Sequence, residues 1–190
     1  MCRKMSGKTM GRVALVSGVL YAASQFGINT ILAPLGLGRV VAFQLTFSRS
    51  GIEETLRSWG PEGISLFKTH FYLDFFHPAI YAVFLFSLLF LLQRKLSGRE
   101  EGPVPKHLYL PFAAMVMDII ENVLELVVIN SLSTVPEAVI FITGVVSSLK
   151  WALGIVTIIM VVVLFMRLLL RRRGKGPGRD DSFSRKGISA

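Results

Sequence analysis

Cysteine and charge are both scarce in this 190-residue chain. The single cysteine, Cys2, excludes an internal disulfide and gives no information on the redox compartment. The residues after it do not form a convincing lipidation site. Charged residues make up only 17% of the sequence, whereas hydrophobic residues make up 52%, and the mean hydropathy is +0.58. This composition is too apolar for an ordinary soluble domain, and we predict an integral membrane protein.

A nucleic-acid-binding pattern is also missing, although the net charge is +9. The basic residues lie at the ends of apolar stretches, not along one face with interleaved aromatic residues. We interpret them as topology charges and lipid-headgroup contacts, and we expect no nucleic-acid partner. Membrane lipids are the expected partners, with anionic headgroups at the basic C-terminal tail.

Four apolar stretches are long enough to cross a bilayer, which takes about 20 residues. They cover residues 13–35, 71–92, 108–129 and 138–170. The remaining segments are a basic N-terminal segment over residues 1–12, a long loop over residues 36–70 and a tail over residues 171–190. The tail has no apolar periodicity, and we expect it to be disordered. The predicted fold class is all-α, a four-helix transmembrane bundle.

The first stretch could instead be a cleaved signal peptide, because Ala22-Ala23-Ser24 resembles a small-residue cleavage site. Its apolar character continues well past that point, so we favour an uncleaved span. One side of this helix is polar, and it either makes interhelical hydrogen bonds or forms the wall of a polar cavity. The residues on that side are Ser17, Tyr21, Ser24, Gln25 and Asn29.

The long loop carries local patterns of its own. Residues 39–47 come close to strict alternation of apolar and polar side chains, a strand-like or interfacial pattern. The sequence from Ser50 to Glu53 matches a capping box and predicts the start of a helix, which Gly60-Pro61 would end. We expect Trp59 to place this helix in the headgroup region, where it either covers the mouth of a site or lies as a passive surface helix.

The third apolar stretch carries acids that an ordinary span would lack. Asp118, Glu121, Asn122 and Glu125 are spaced so that they share one face of a helix. A charge near a bilayer centre costs about 2.5 to 3.5 kcal/mol even on lenient insertion scales, so three acids need protein, water, protons or a cation beside them. We predict that this face is directed into the bundle.

The second stretch places Asp74, His77 and Tyr81 on one face. Pro78 removes a backbone donor, frees the carbonyl of Asp74 and tends to kink the helix there. The Asp-x-x-His spacing resembles that of metal ligands in helix bundles, and a site of Asp74, His77, Asp118 and Glu121 would be the result. The alternative is a histidine that is only hydrogen-bonded or solvated, and we assign no metal ligand.

The fourth stretch is longer than a bilayer needs, so it must tilt, bend or protrude, and Gly144 and Gly154 are the positions where a helix would bend most easily. It contains Lys150 beside Trp151. A cation in such a run needs an acidic partner. Lys150 is therefore either part of a buried ion pair that fixes helix register or a charge that tunes the acids.

Lys and Arg cluster before the first span, between the second and third spans and after the fourth. The positive-inside rule therefore places both termini in the cytoplasm and the long loop outside. Counted from the outer ends, polar groups of all four spans fall in one layer in the outer half. The candidate catalytic residues are Asp118, Glu121, Asp74 and Lys150. The candidate substrate-binding residues are Asn122, Tyr81, His77, Glu125, Gln25 and Trp151.

Three functions fit this layer, and none of them specifies a cofactor. The first is binding or conversion of a lipid-like molecule, with Asp118 or Glu121 as general acid/base. The second is proton- or cation-coupled transport, for which we expect a homodimer because four spans make a small carrier. The third is a non-catalytic membrane partner protein in which the acids and Lys150 only hold the helices together.

The segment from Asp74 to Tyr81, the D-x-x-E-N block from Asp118 to Asn122 and the pair Lys150-Trp151 resemble a widespread, largely bacterial group of small four-span membrane proteins. The resemblance covers nearly the whole chain. It implies that these residues form one site in a bacterial inner-membrane protein and implies no particular reaction. The span arrangement is also similar to that of the sterol-isomerase-like EXPERA proteins, which favours a hydrophobic ligand.

Overall fold

The structure, a computed structural model, describes residues 7–98 and 103–173. These residues are helical and contain no strand. The α-helices are α1 Gly7–Leu32, α2 Leu37–Gln44, α3 Arg49–Asp74, α4 His77–Ser97, α5 Leu110–Asn130 and α6 Glu137–Arg173, with short 3-10 segments at Ala33–Leu35 and Lys106–Tyr109. The start of the basic N-terminal segment and most of the predicted disordered tail lie outside the described residues.

Three segments are long and apolar enough to cross a membrane, as expected of a membrane protein. They are Gly7–Leu35, His77–Ser97 and Glu137–Arg171. Helix α5 is comparable in length, with 21 residues, but its three carboxylates set it apart from the others. The all-helical class is thus confirmed for the described residues, and the three apolar helices are consistent with a membrane protein.

The loop over residues 36–70 is folded, and the structure differs from the strand-like pattern and the helix start predicted for it. The segment with the alternating pattern is largely the helix α2. Helix α3 begins two residues earlier than the capping box suggested, because the Ser48 side chain accepts a hydrogen bond from the Gly51 backbone N–H at 3.3 Å. The predicted break at Gly60-Pro61 is confirmed. Gly60 has a non-helical backbone with a φ of 64°, which kinks the chain, and a second helical stretch runs from Pro61 to Asp74.

Trp59 belongs to the apolar core and not to the headgroup surface that its position suggested. Its ring lies 5.0 Å from that of Phe67 and 5.4 Å from that of Phe43, measured between centroids. Aromatic pairs at such distances add to the stability gained by burying their area. These contacts join α2 and the two halves of α3 into a cap over one end of the long helices.

Two polar contacts tie this cap to the ends of α5 and α6. Arg49 donates to the Glu137 carboxylate at 2.6 Å and also to the backbone carbonyl of Val135. Lys68 donates to the Asn130 side chain at 2.6 Å. The C-terminal end of α5 and the N-terminal end of α6 therefore lie at the same end of the molecule as α3.

Helix α4 lies at the centre of the long helices and packs against α1, α5 and α6. Helices α5 and α6 pack closely against each other. Helix α6 has 37 residues and runs unbroken, which makes it about 55 Å long. Gly144 and Gly154 both lie within this one continuous helix.

Candidate functional site

The helix is interrupted at Phe75 and Phe76, between α3 and α4, because Pro78 has no N–H to donate to the carbonyl of Asp74. The side-chain amide of Asn122 donates to that carbonyl at 3.2 Å. The predicted kink is therefore present, and a residue of α5 satisfies the acceptor that it frees. This bond fixes α5 against the break.

The predicted polar face of α5 is directed into the protein. Asp118, Glu121, Asn122 and Glu125 are all buried. The apolar residues on the opposite side, including Ile120, Val123 and Val127, are exposed. The face assignment made from helical spacing is confirmed.

Lys150 of α6 has two acidic neighbours on α5. Its Nζ lies 3.5 Å from Asp118 Oδ1 and forms a closer ion pair with Glu121 Oε2. The ammonium group replaces its lost hydration with these carboxylates, as a buried cation requires. We refer to Asp118, Glu121 and Lys150 as the acid–lysine cluster.

Tyr81 of α4 faces this cluster, with its hydroxyl directed at the Asp118 carboxylate as a hydrogen-bond donor. Asp118 thus lies between a neutral donor on α4 and a cation on α6. This arrangement restrains the carboxylate from two sides.

His77 lies in the same layer but is turned towards α1. Its Nδ1 is hydrogen-bonded to Ser24 Oγ at 2.8 Å, and its ring stacks on Tyr21 with centroids 5.3 Å apart. The structure places no group of three or more His, Cys, Asp or Glu side chains for a metal ion in the described part of the chain. The metal-site alternative built on Asp74, His77, Asp118 and Glu121 gains no geometric support.

His70 is a buried neighbour of the site that the sequence reasoning missed. It donates through Nδ1 to the carbonyl of Phe67, and its Nε2 lies 3.9 Å from Asp74 Oδ2. Burial lowers the pKa of His70 to about 4, and burial raises the pKa of Asp74. The i, i+4 spacing on one helix could have revealed the pair, but the predicted boundary at residue 70 separated the two residues.

Two predicted substrate-binding residues do not reach the cluster. Gln25 donates to Asn29 at 2.9 Å along the surface of α1, so the contribution of α1 comes from Ser24 instead. Trp151 is 39% exposed and points outward, with its ring centroid 5.4 Å from Lys150 Nζ. It shields the lysine from outside and does not line the interior.

Exposure changes across the site. The side chain of Glu121 is fully buried, whereas those of Asp118, Lys150 and Asp74 are 9%, 12% and 14% exposed. Glu125 is buried as fully as Glu121, and neither of its carboxylate oxygens has a hydrogen-bond partner among the residues that the structure describes. The site thus has an accessible edge around Asp118 and a closed interior around Glu125.

No protein-family model, curated protein or solved structure matches the chain. The function is therefore inferred from the chemistry of this site.

Proposed function

We propose that the protein binds or chemically converts a lipid-like molecule at the acid–lysine cluster, with Asp118 as the general acid/base. The observation that supports this proposal is the change in side-chain exposure across the site. The polar groups become accessible at Asp118, Lys150 and Asp74, while apolar side chains cover much of the outer surface of the surrounding helices. A molecule that enters this edge from the membrane brings its polar end to Asp118 and leaves its apolar part in lipid.

The environment of Asp118 suits proton transfer to or from such a ligand. The Tyr81 hydroxyl and the Lys150 ammonium hold the carboxylate in place, and a general acid/base needs a fixed position within hydrogen-bonding distance of its substrate. Lys150 would also stabilise negative charge that develops on the ligand. Glu121 would then act as a positioning residue, because its ion pair holds the lysine.

The proposal includes a fourth span. Helix α5, with 21 residues, is about 31 Å long, which matches a hydrocarbon core of about 30 Å. Its carboxylates face Lys150 and the interior, so the lipid-facing side of α5 is apolar. The proposed topology has both termini in the cytoplasm and the cap of α2 and α3 outside, in a bacterial inner membrane.

The test is native mass spectrometry of the full chain purified in mild detergent. We expect a small-molecule adduct with wild type and its loss in Asp118→Asn at unchanged thermal stability. The matched control is Glu137→Gln, which makes the same acid-to-amide change at an exposed position. Retention of the adduct in Asp118→Asn, or a wild-type protein without any adduct, contradicts the proposal. Failure of Asp118→Asn to fold, if Tyr81→Phe folds and keeps the adduct, favours a structural partner protein.

Proton-coupled transport is the second candidate, and Glu125 is the observation that favours it. Asp118, Glu121 and Glu125 form a row along α5, and a carboxyl group as buried as Glu125 can take part in a proton relay. In liposomes with an imposed pH gradient, this candidate predicts proton flux that Glu125→Gln abolishes. Equal flux in wild type and empty liposomes contradicts it.

A further inference from the structure

Four buried side chains of α5 and α6 contain oxygen atoms without a hydrogen bond among the described residues. These atoms are Glu121 Oε1, Asn122 Oδ1, both carboxylate oxygens of Glu125, and Ser147 Oγ. Native proteins leave few buried polar atoms unpaired, and each exception needs an explanation. We refer to Glu121, Asn122, Glu125 and Ser147 as the oxygen cluster.

The oxygen cluster is assembled from two helices. Glu121, Asn122 and Glu125 share the buried face of α5, and Ser147 lies on α6 beside the Glu121 carboxylate. Ser147 and Asn122 are completely buried, as is Glu121, and Glu125 is 1% exposed. Ser147 thus faces the Glu121 carboxylate, and Asn122 and Glu125 lie within about one turn of Glu121 on the same buried face of α5.

The orientation of Asn122 is set from outside the cluster. Its amide nitrogen donates to the carbonyl of Asp74, so the amide cannot rotate to offer an N–H group to Glu125 or Glu121 without losing that bond. Lys150 is also committed, since its ammonium group pairs with Glu121 Oε2 and lies near Asp118. The cluster thus presents many acceptors and, from the Ser147 hydroxyl, a single donor.

A single proton cannot pair with all the unpaired oxygen atoms of the oxygen cluster. Protonation of Glu125 supplies one donor, which pairs with one acceptor and leaves the others unpaired. A hard cation with several oxygen ligands can satisfy carboxylate, carboxamide and hydroxyl oxygens together. Lys150 already pairs with Glu121 and Asp118, so its single positive charge does not also offset Glu125, and the negative charge of Glu125 is left for the ion to balance.

From this donor set and charge we propose that the oxygen cluster binds a small monovalent cation, with Na⁺ as the ion whose chemistry fits. Sodium sites in transporters are built from oxygen ligands at the breaks and ends of membrane helices. The site has only two carboxylates and no histidine or thiolate, which does not favour a transition metal. The inference shares Glu121 with the site proposed at Asp118, but it rests on the unpaired oxygens of Glu125, Asn122 and Ser147, which that proposal does not use.

The test is binding of radioactive ²²Na⁺ to the full chain in detergent at pH 8, with choline as the balancing cation. We expect saturable binding of one ion per chain and a rise in melting temperature with NaCl that choline chloride does not produce. Glu125→Gln should abolish both effects. Ser147→Ala should weaken Na⁺ binding about tenfold, or about 1.4 kcal/mol, because one neutral ligand is lost while both carboxylates remain.

The matched control is Ser87→Ala, which removes another fully buried hydroxyl without a hydrogen bond, but on α4 and outside the oxygen cluster. It should bind Na⁺ like wild type. If Glu125→Gln does not fold, the comparison of Ser147→Ala with Ser87→Ala still decides. Equal affinities in these two variants, or no saturable ²²Na⁺ binding by wild type, overturn the proposal. Loss of the adduct in Asp118→Asn with Na⁺ binding retained shows that the two sites fail separately.

Discussion

The side-chain amide of Asn122 donates to the backbone carbonyl of Asp74 at 3.2 Å, and this is the carbonyl that Pro78 leaves without a helical donor. Two parts of the chain that are distant in sequence, residues 74–78 and α5, thus depend on each other. The proline creates an unpaired acceptor in a buried place, and α5 supplies the donor. The acids next to Asn122 on α5 are positioned by the same contact.

We expect Asn122→Leu to cost about 1 to 3 kcal/mol in free energy of unfolding, because it leaves the Asp74 carbonyl buried without a donor. In a Pro78→Ala background the new backbone N–H can pair with that carbonyl, so the same substitution should cost less. Reversible denaturation of the four proteins forms a double-mutant cycle, with an expected coupling energy of about 0.5 to 3 kcal/mol. Additive costs would show that the two residues act independently.

Lys150→Met should be strongly destabilising, by about 3 to 5 kcal/mol, because it leaves Asp118 and Glu121 buried beside each other without a cation. Adding Asp118→Asn and Glu121→Gln to the same protein should restore much of the loss, since no charge is then left unpaired. Denaturation midpoints of the single and triple variants measure this difference. A triple variant less stable than Lys150→Met would argue against a charge effect.

The two glycines of α6 should respond in opposite directions to alanine. A Cβ at Gly144 would lie 2.9 Å from the backbone carbonyl oxygen of Thr46, so Gly144→Ala should cost about 1 to 3 kcal/mol through overpacking. A Cβ at Gly154 would meet nothing within 4 Å. Gly154→Ala should therefore stabilise the helix by up to about 1 kcal/mol. Melting temperatures of the pair provide the comparison, and equal shifts would contradict it.

His70 should make stability depend on pH. Its pKa is about 4 in the folded protein, below the ordinary 6.5, so the folded state binds fewer protons than the unfolded state between these values. Stability is therefore lost as the pH falls through 6.5 towards 4, by about 3 kcal/mol in full. Burial raises the pKa of Asp74 and acts in the opposite direction.

The comparison with His70→Gln isolates this effect, because glutamine keeps a donor for the Phe67 carbonyl and Asp74 is present in both proteins. The stability difference between wild type and variant should be constant above pH 7 and should shift in favour of the variant towards pH 4.5. Parallel curves over this range would show that His70 does not titrate as described.

The proposed four-span topology, with the cap outside, predicts which residues are accessible from outside the cell. With Cys2→Ser as background, cysteines at Glu62 and Ser133 should react with a membrane-impermeant maleimide on intact cells. A cysteine at Lys106, at the other end of α5, should react only after lysis. All three positions are exposed in the folded protein, so burial does not limit labelling. Labelling of Lys106→Cys on intact cells would exclude a transmembrane α5 in this orientation.

The long helices and the buried face of α5 could be predicted because helical periodicity constrains each of them locally. Asp118, Glu121, Asn122 and Glu125 are spaced for one face, and any helix buries such a face inwards in an apolar environment. The partnership of Lys150 with acids followed from the cost of an unpaired charge in the same environment. These predictions required no knowledge of how the helices are arranged.

The cap could not be predicted in the same way, because its structure depends on tertiary contacts. Packing of Phe43 and Trp59 on Phe67 favours helix in a segment whose alternating pattern suggested a strand. Whether Ser24 or Gln25 of α1 faces the site depends on the rotation of that helix about its axis against α4. A difference of one residue, about 100° around a helix, cannot be decided from one sequence.

In the proposed topology, the length of α6 determines how deep in the membrane the site lies. Lys150 and Arg167 are separated along one unbroken helix by about 25 Å. When Arg167 lies at the inner headgroup boundary, a hydrocarbon core of about 30 Å places Lys150 only a few ångströms below the outer boundary. The acid–lysine cluster then faces the region where the glycerol backbones and first acyl carbons of the outer leaflet lie. A lipid could thus meet Asp118 without leaving its normal depth in the membrane.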